Sequence, residues 1–381
     1  MSEQVLVALG GGGASVLAAT LLHNQGFRVS VVFFDIHDPR STAFLTDCHH
    51  SHFDQNFKNV EKFCEHLGLP LSRVSLGEEF EAEVVDSYIH NALGGVTPTP
   101  CFSCQKRVLL PALLKEADRL KIDKVSTGHF AQVLLEQKSG DVKVLKGVEG
   151  AYDQSFMFSD LSQEELKRVL LPLGGIGSQM LQKLLFQIEL DEFNKKTLSP
   201  IRTEPCFFSG NQPNEFVKER IPQTLYKHGV VKTPEGLVIG DHLGAYGFRL
   251  GKPPVGATFS FKEYEKKKLI VTEIDTKNKF ITVNEAEKIQ INPVGFKNIK
   301  LNPVESVVQP LSVDIRFGMA HSWSKGNLFL FENGFGYAEL FEPTKEAWNG
   351  RPVTFYKKNE LLGSALISPV QLVEDEEESS S

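Results

Sequence analysis

Val5-Leu6-Val7-Ala8-Leu9, running into Gly10-Gly11-Gly12-Gly13-Ala14-Ser15, is the stretch that decides the fold. Its first five residues are an apolar run, and the glycines that end it permit a tight turn. From Ser15 to Gln25 the apolar positions Val16, Ala18, Ala19, Leu21 and Leu22 suit a helix, which Gly26 closes. Arg28–Asp35 is a second apolar, β-branched run. Strand, glycine turn, helix and strand make a βαβ unit, the start of a parallel sheet.

The alternation continues outward. Phe53–Leu67 predicts a helix with Phe53, Phe57, Val60, Phe63 and Cys64 near one face, and Leu71–Leu76 predicts a strand. Glu78–Leu93 and Gln105–Leu120 are helical, and Lys124–His129 is a strand with a polar end. A doubly wound α/β domain over residues 1–205 follows. Residues 206–253, rich in Gly, Pro and charge, form a small central domain. It has one helical stretch and a hairpin at Val230–Ile239 around Pro234-Glu235-Gly236. From 254 to 373 short strands flank turns without helices, which predicts an antiparallel β-barrel containing Lys268–Asp275 and Lys279–Glu285. The run Glu374-Asp375-Glu376-Glu377-Glu378 and three serines, residues 374–381, is expected to be a disordered acidic tail.

At 381 residues the chain exceeds one ordinary core, and 28 Phe supply the apolar surface for several. No run reaches the roughly 18–20 apolar residues of a membrane span, and no secretory leader is read. Five cysteines at irregular spacing argue against a disulfide framework and for a reducing compartment, so the cytoplasm is the expected location. A net charge of −7 does not advertise nucleic-acid binding, although a basic face is compatible with it.

Glycines after a first strand let backbone N–H groups approach a phosphate, aided by the following helix N-terminus. Gly10, Gly11, Gly12, Gly13 and Ser15 fit that purpose. The loop lacks the lysine of a Walker loop and the spacing of a dinucleotide fingerprint, and a tight turn without ligand explains it about as well. Cys101-Phe102-Ser103-Cys104 places a C-x-x-C where a loop runs into a helix. Near Lys106 and Arg107 its thiolate is expected to be favoured. A redox pair, half of a zinc site and iron–sulfur ligation compete as readings. Cys206 lies between turn signals, and Cys64 reads as a buried hydrophobe. Cys48-His49-His50-Ser51-His52 has metal-ligand residue types, but adjacent loop histidines more often sit in solvent.

Taken together, these motifs resemble the bacterial and mitochondrial tRNA-specific 2-thiouridylase (MnmA-like) family. Its pyrophosphatase-type (PP) loop reads Ser-Gly-Gly-x-Asp-Ser; here Gly11, Gly12 and Ser15 agree, Gly10 replaces the first Ser and Ala14 the Asp. Thr97 to Lys106 is similar to the segment carrying one catalytic cysteine, which falls on Cys104, and Cys101 stands where many members have Asp. The second catalytic cysteine falls on Cys206. Thr127-Gly128-His129-Phe130-Ala131, Asp153-Gln154-Ser155, Leu171-Pro172-Leu173-Gly174 and Gly236 to Gly244 also fit, in the family's order. Tyr152 replaces a family Lys, and the stretch around Arg249 is shortened.

The resemblance implies a PP-loop ATPase-type domain that binds ATP with Mg²⁺ through the glycine loop and Gly128. It also implies sulfur insertion at C2 of the wobble uridine of tRNA, by adenylation and then thiolation. Two sulfur chemistries are open. In one, Cys206 carries a persulfide and Cys104 resolves it; in the other, Cys101, Cys104 and Cys206 ligate a [4Fe–4S] cluster. The implied partners are tRNA and a cysteine desulfurase or sulfur-relay protein, with Lys106, Arg107, Gln154 and Arg249 facing RNA. The missing Asp at Ala14 also admits a degenerate paralogue that binds tRNA or a relay partner without ATP-dependent catalysis. A third reading is an iron–sulfur enzyme acting on thiolated bases.

Overall fold

The computed structural model describes residues 2–36, 47–188, 206–207, 213–225, 227–302, 309–319, 322–331 and 333–370, with the main chain alone at 47–53, 213–214 and 225. The acidic tail and the boundary near residue 205 lie outside the described residues. Strand β1 (Gln4–Ala8), helix α1 (Gly13–Asn24), β2 (Arg28–Asp35), α2 (Asp47–Leu67) and β3 (Leu71–Ser75) follow in order. After a helical segment at 77–93, a rod at 100–120 runs as α-helix Pro100–Cys104, a wider π turn Gln105–Leu109 and α-helix Leu110–Leu120. Next come β4 (Lys124–Ser126), β5 (Ala131–Leu135), β6 (Val142–Lys146) and β7 (Val169–Leu170). The order β3-β2-β1-β4-β7, parallel throughout, is a doubly wound α/β sheet.

Burial explains this arrangement. Val5, Leu6 and Val7 are each 0% exposed, so β1 is covered on both faces, as expected of the middle of a parallel sheet. Val5 and Val7 point to α1 and α2, packing with Val16, Leu17, Val60 and Phe63. Leu6 points the other way, to Leu110, Leu113 and Ala117. This alternation is the period-2 geometry of a strand.

A second sheet joins β8 (Gly229–Lys232), β9 (Val238–His242), β10 (Thr258–Phe259), β11 (Leu269–Asp275) and β12 (Phe280–Glu285) in the order β10-β9-β8-β12-β11. This corrects the assignment of residues 254–285 to the barrel. The β11–β12 hairpin forms as expected, but β12 lies parallel to β8, so the pair extends the central sheet. The barrel proper contains β13 (Val294–Leu301), β14 (Leu311–Phe317), β15 (Trp323–Leu330), β16 (Gly336–Leu340), β17 (Pro352–Lys357) and β18 (Glu360–Ser368). These six antiparallel strands close through β13 and β18, which removes the open edges. The β5–β6 hairpin, absent from the sequence reading, leaves the α/β domain to join β18 at Glu360 and Leu145. Among the described residues no helix is long and apolar enough to cross a membrane.

The barrel is locked to the α/β domain by charge. Arg316 on β14 is 0% exposed, and its Nη1 donates to Asp153 Oδ2 at 2.9 Å and to the Asp153 carbonyl at 3.2 Å. Its guanidinium carbon stands 4.2 Å from the Phe156 ring centroid. The other carboxylate oxygen of Asp153 accepts the N–H groups of Gly147 and Ser155 at 3.0 and 3.1 Å. Ser155 Oγ and Tyr356 Oη share a hydrogen bond of 2.9 Å. Replacing only one partner strands a buried charge, so Asp153→Ala should lower the unfolding free energy by about 3–5 kcal/mol. The double variant Asp153→Leu/Arg316→Met should lose much less, and urea denaturation of both checks this.

Candidate functional site

The glycine loop leaves β1 where the strand order reverses, with β2 on one side and β4 on the other. Ligands of open α/β sheets bind at that crevice. Here it holds a cavity of about 400 Å³ lined by Gly10, Gly12 and Ser15 from the loop and Thr127, Gly128 and His129 after β4. Phe33, Phe34 and Ile36 give it an apolar wall, with Leu109, Leu110 and Leu113 opposite. Two glycines are required by geometry. Gly11 has φ +75°, and a Cβ there would stand 2.7 Å from Asn56. A Cβ on Gly128 would lie 2.5 Å from the Ser15 nitrogen, so only glycine lets the β4 turn approach the loop. Gly11 and Gly13 do not line the cavity; a Cβ on Gly13 would meet Leu185 at 2.9 Å.

His129 also lines the cavity, with Nδ1 2.8 Å from Thr127 Oγ1 and its ring edge-on to Phe158. Burial lowers its pKa to about 4, so the imidazole is neutral in the fold. Gln154 lies on the cavity wall, its Oε1 accepting the Phe130 N–H at 3.0 Å while its own N–H donates to the Phe130 carbonyl.

Cys101 and Cys104 sit on the five-residue helix Pro100–Cys104, opened by Pro100 at its first turn. Both are partly buried, whereas Cys206 is exposed. Burial raises the Cys104 thiol pKa, and the neighbouring charges of Cys206 and Cys101 add to the rise, so both of those sulfurs lie within electrostatic reach of Cys104. Phe207 explains how Cys206 is placed. It is 2% exposed and packs edge-on to Phe80 and Tyr88, with Phe216 at 5.0 Å between ring centroids. The expectation of a favoured thiolate is corrected: burial raises both Cys101 and Cys104. Burial outweighs the backbone N–H at Cys101, and the neighbouring cations are engaged elsewhere.

Lys106 is ion-paired with Asp160, whose other oxygen accepts Ser364 Oγ from the barrel at 2.8 Å. Desolvation, then Lys300 and Arg107, lowers the Lys106 pKa to about 8. Arg107 pairs with Glu83 at 3.2 Å, and Arg249 donates to the Tyr88 hydroxyl. Three of the four residues expected to face RNA thus make ion pairs or hydrogen bonds within the protein, and the fourth, Gln154, faces the cavity. The side chains of Cys48 to His52 lie outside the described residues. Among the described residues no three His, Cys, Asp or Glu side chains are grouped to hold a metal ion. Sequence reading missed Gln105, which lines the cavity directly after Cys104 and is 6% exposed. It also missed the Phe207 anchor, although the pair Phe207-Phe208 directly after Cys206 was visible there.

A parallel sheet with a glycine loop and a cavity at its strand-order reversal defines a doubly wound α/β protein with a candidate ligand site at the switch point. Residues 3–209, more than half the chain, match the family model described as tRNA methyl transferase HUP domain. The tRNA-specific 2-thiouridylase MnmA of Clostridium acetobutylicum is 27% identical over 374 residues, covering 96% of this chain and all of that protein. The enzyme of the same name from Natranaerobius thermophilus is 26% identical over 377 residues, covering 96% and 98%. The chain belongs to this HUP-domain family, in its MnmA-like tRNA 2-thiouridylase branch.

Two outcomes follow. A pKa depressed from 6.5 to about 4 makes neutral His129 a source of stability that is complete above pH 6.5 and lost as pH falls toward 4. The melting temperature should fall across that window, and His129→Asn should flatten the acid limb. Iodoacetamide at neutral pH should modify exposed Cys206 ahead of Cys104, and Cys64, its pKa raised to about 12 by burial, only after unfolding. Peptide mass spectrometry reads the order.

Proposed function

We propose that the chain is a tRNA 2-thiouridylase that inserts sulfur at C2 of the wobble uridine of tRNA, with Cys206 as sulfur carrier and Cys104 as resolving thiol. The observation that carries this reading is the electrostatic coupling of Cys104 to both Cys206 and Cys101, with Gln105 of the cavity wall the residue after Cys104. The related proteins are named for this reaction, and tRNA is the substrate their name gives. ATP, bound in the cavity, supplies the adenylyl group that makes the C2 oxygen a leaving group.

The thiol chemistry then balances without a further oxidant. A persulfide on Cys206 attacks C2, forming a carbon–sulfur bond as the activated oxygen departs. The Cys104 thiolate attacks the Cys206 sulfur, forming the Cys104–Cys206 disulfide and releasing the new sulfur on C2 as the thiocarbonyl. An external dithiol returns both cysteines to thiols, and the Cys104 proton passes to solvent or substrate. Exposure of Cys206 suits loading by a cysteine desulfurase or relay protein. No step is assigned to a [4Fe–4S] cluster on Cys101, Cys104 and Cys206.

The test is unmodified tRNA with ATP, Mg²⁺ and a persulfide donor, with nucleosides analysed by mass spectrometry. 2-Thiouridine is expected from the wild-type chain, and its loss from Cys104→Ser and Cys206→Ser. Cys101→Ser should keep most of the activity; its complete loss would favour the cluster. Retained tRNA binding with no 2-thiouridine at all would instead support a binding paralogue, the reading that Ala14 favours.

A further inference from the structure

The cavity suits one phosphate far better than a metal-bound triphosphate. Mg²⁺ beside phosphates is held by carboxylate or hydroxyl oxygens, and a lysine commonly accompanies them. Among the described residues the lining holds no Asp, Glu, Lys or Arg, and Ala14 occupies the position expected for a carboxylate. The Ser15 hydroxyl donates to the Gly12 carbonyl at 3.1 Å. The donor set therefore does not fit the divalent cation.

A phosphate does fit. Nothing lies within 4 Å of where a Cβ would stand on Gly10 or Gly12, so the loop backbone is open to a ligand. Helix α1, twelve residues long, begins directly after it with no acidic residue in its first turn. A helix N-terminus offers roughly half a positive charge, against about two negative charges on a single terminal phosphate. Further phosphates would find no added charged partner among the described residues of the lining.

A second, independent feature points to a ligand. Gln105 is 6% exposed and lines the cavity, yet its side-chain amide enters no hydrogen bond among the described residues. Gln154 on the same wall is already engaged with Phe130. A buried amide facing a cavity is costly unless a ligand or water satisfies it. Gln105 also opens the π turn Gln105–Leu109, a distortion that often marks functional positions. The apolar walls of Phe33, Phe34, Leu109 and Leu113 leave a slot for a flat ring.

We infer that this cavity binds an adenine nucleotide through its nucleoside and a single phosphate, with the Gln105 amide as a ligand contact and no divalent cation held by the protein. The inference rests on the nucleotide reading proposed above. AMP is then as good a ligand as ATP and competes with it.

Calorimetry of the full chain with AMP and with ATP, each in Mg²⁺ and in EDTA, tests this apart from any sulfur chemistry. The dissociation constants should agree within about threefold in all four conditions. ATP with Mg²⁺ binding about tenfold or more tighter than AMP would overturn the inference and leave the nucleotide reading intact. Failure of both nucleotides to bind would remove the nucleotide reading as well. Gln105→Leu should weaken AMP about tenfold with an unchanged melting temperature, and Gln105→Asn should recover part of the loss. Wild-type affinity in Gln105→Leu would refute the amide contact.

Discussion

One buried ion pair sets the relation between the parts of this molecule. Arg316 and Asp153 are 0% and 1% exposed, and neither charge could remain there without the other. The geometry makes the pair tolerable: Asp153 takes two backbone N–H groups as well as the guanidinium, and Arg316 also donates to the Met319 carbonyl. Because the next residue is Gln154, the lock that seats the barrel also fixes one wall of the cavity. The barrel is thus part of the site's scaffold, although none of its strands lines the cavity.

The cysteines follow a different logic from enzymes that activate a thiol by lowering its pKa. Here burial raises Cys101 and Cys104, and the cations beside them are paired with Asp160 and Glu83. Such thiols resist stray oxidation and alkylation, since the thiolate is the reactive form. In the proposed reaction Cys104 acts only after sulfur has reached the substrate, so a resting protonated state is an advantage. Cys206 is the opposite: exposed, but held in place by a phenylalanine sunk into an aromatic cluster. Tyr88 of that cluster receives the Arg249 guanidinium, which ties the central module to the Cys206 segment.

The sequence by itself determined the βαβ start, the doubly wound sheet and the glycine loop, and it singled out Cys104 and Cys206 as candidates. Those features are local: period-2 burial in Val5 to Val7, helical spacing in α1, glycines where a turn demands them, and cysteines inside short motifs. Only the tertiary structure decided the rest. Arg316 and Asp153 are 163 residues apart, and no local pattern reveals that they meet. The same holds for β12 pairing with β8, for the β5–β6 hairpin joining the barrel, and for the intramolecular partners of Lys106, Arg107 and Arg249. Whether a lysine faces solvent or a carboxylate, or a thiol is acidic or not, depends on burial and on neighbours brought from distant segments. Residue type and spacing carry neither.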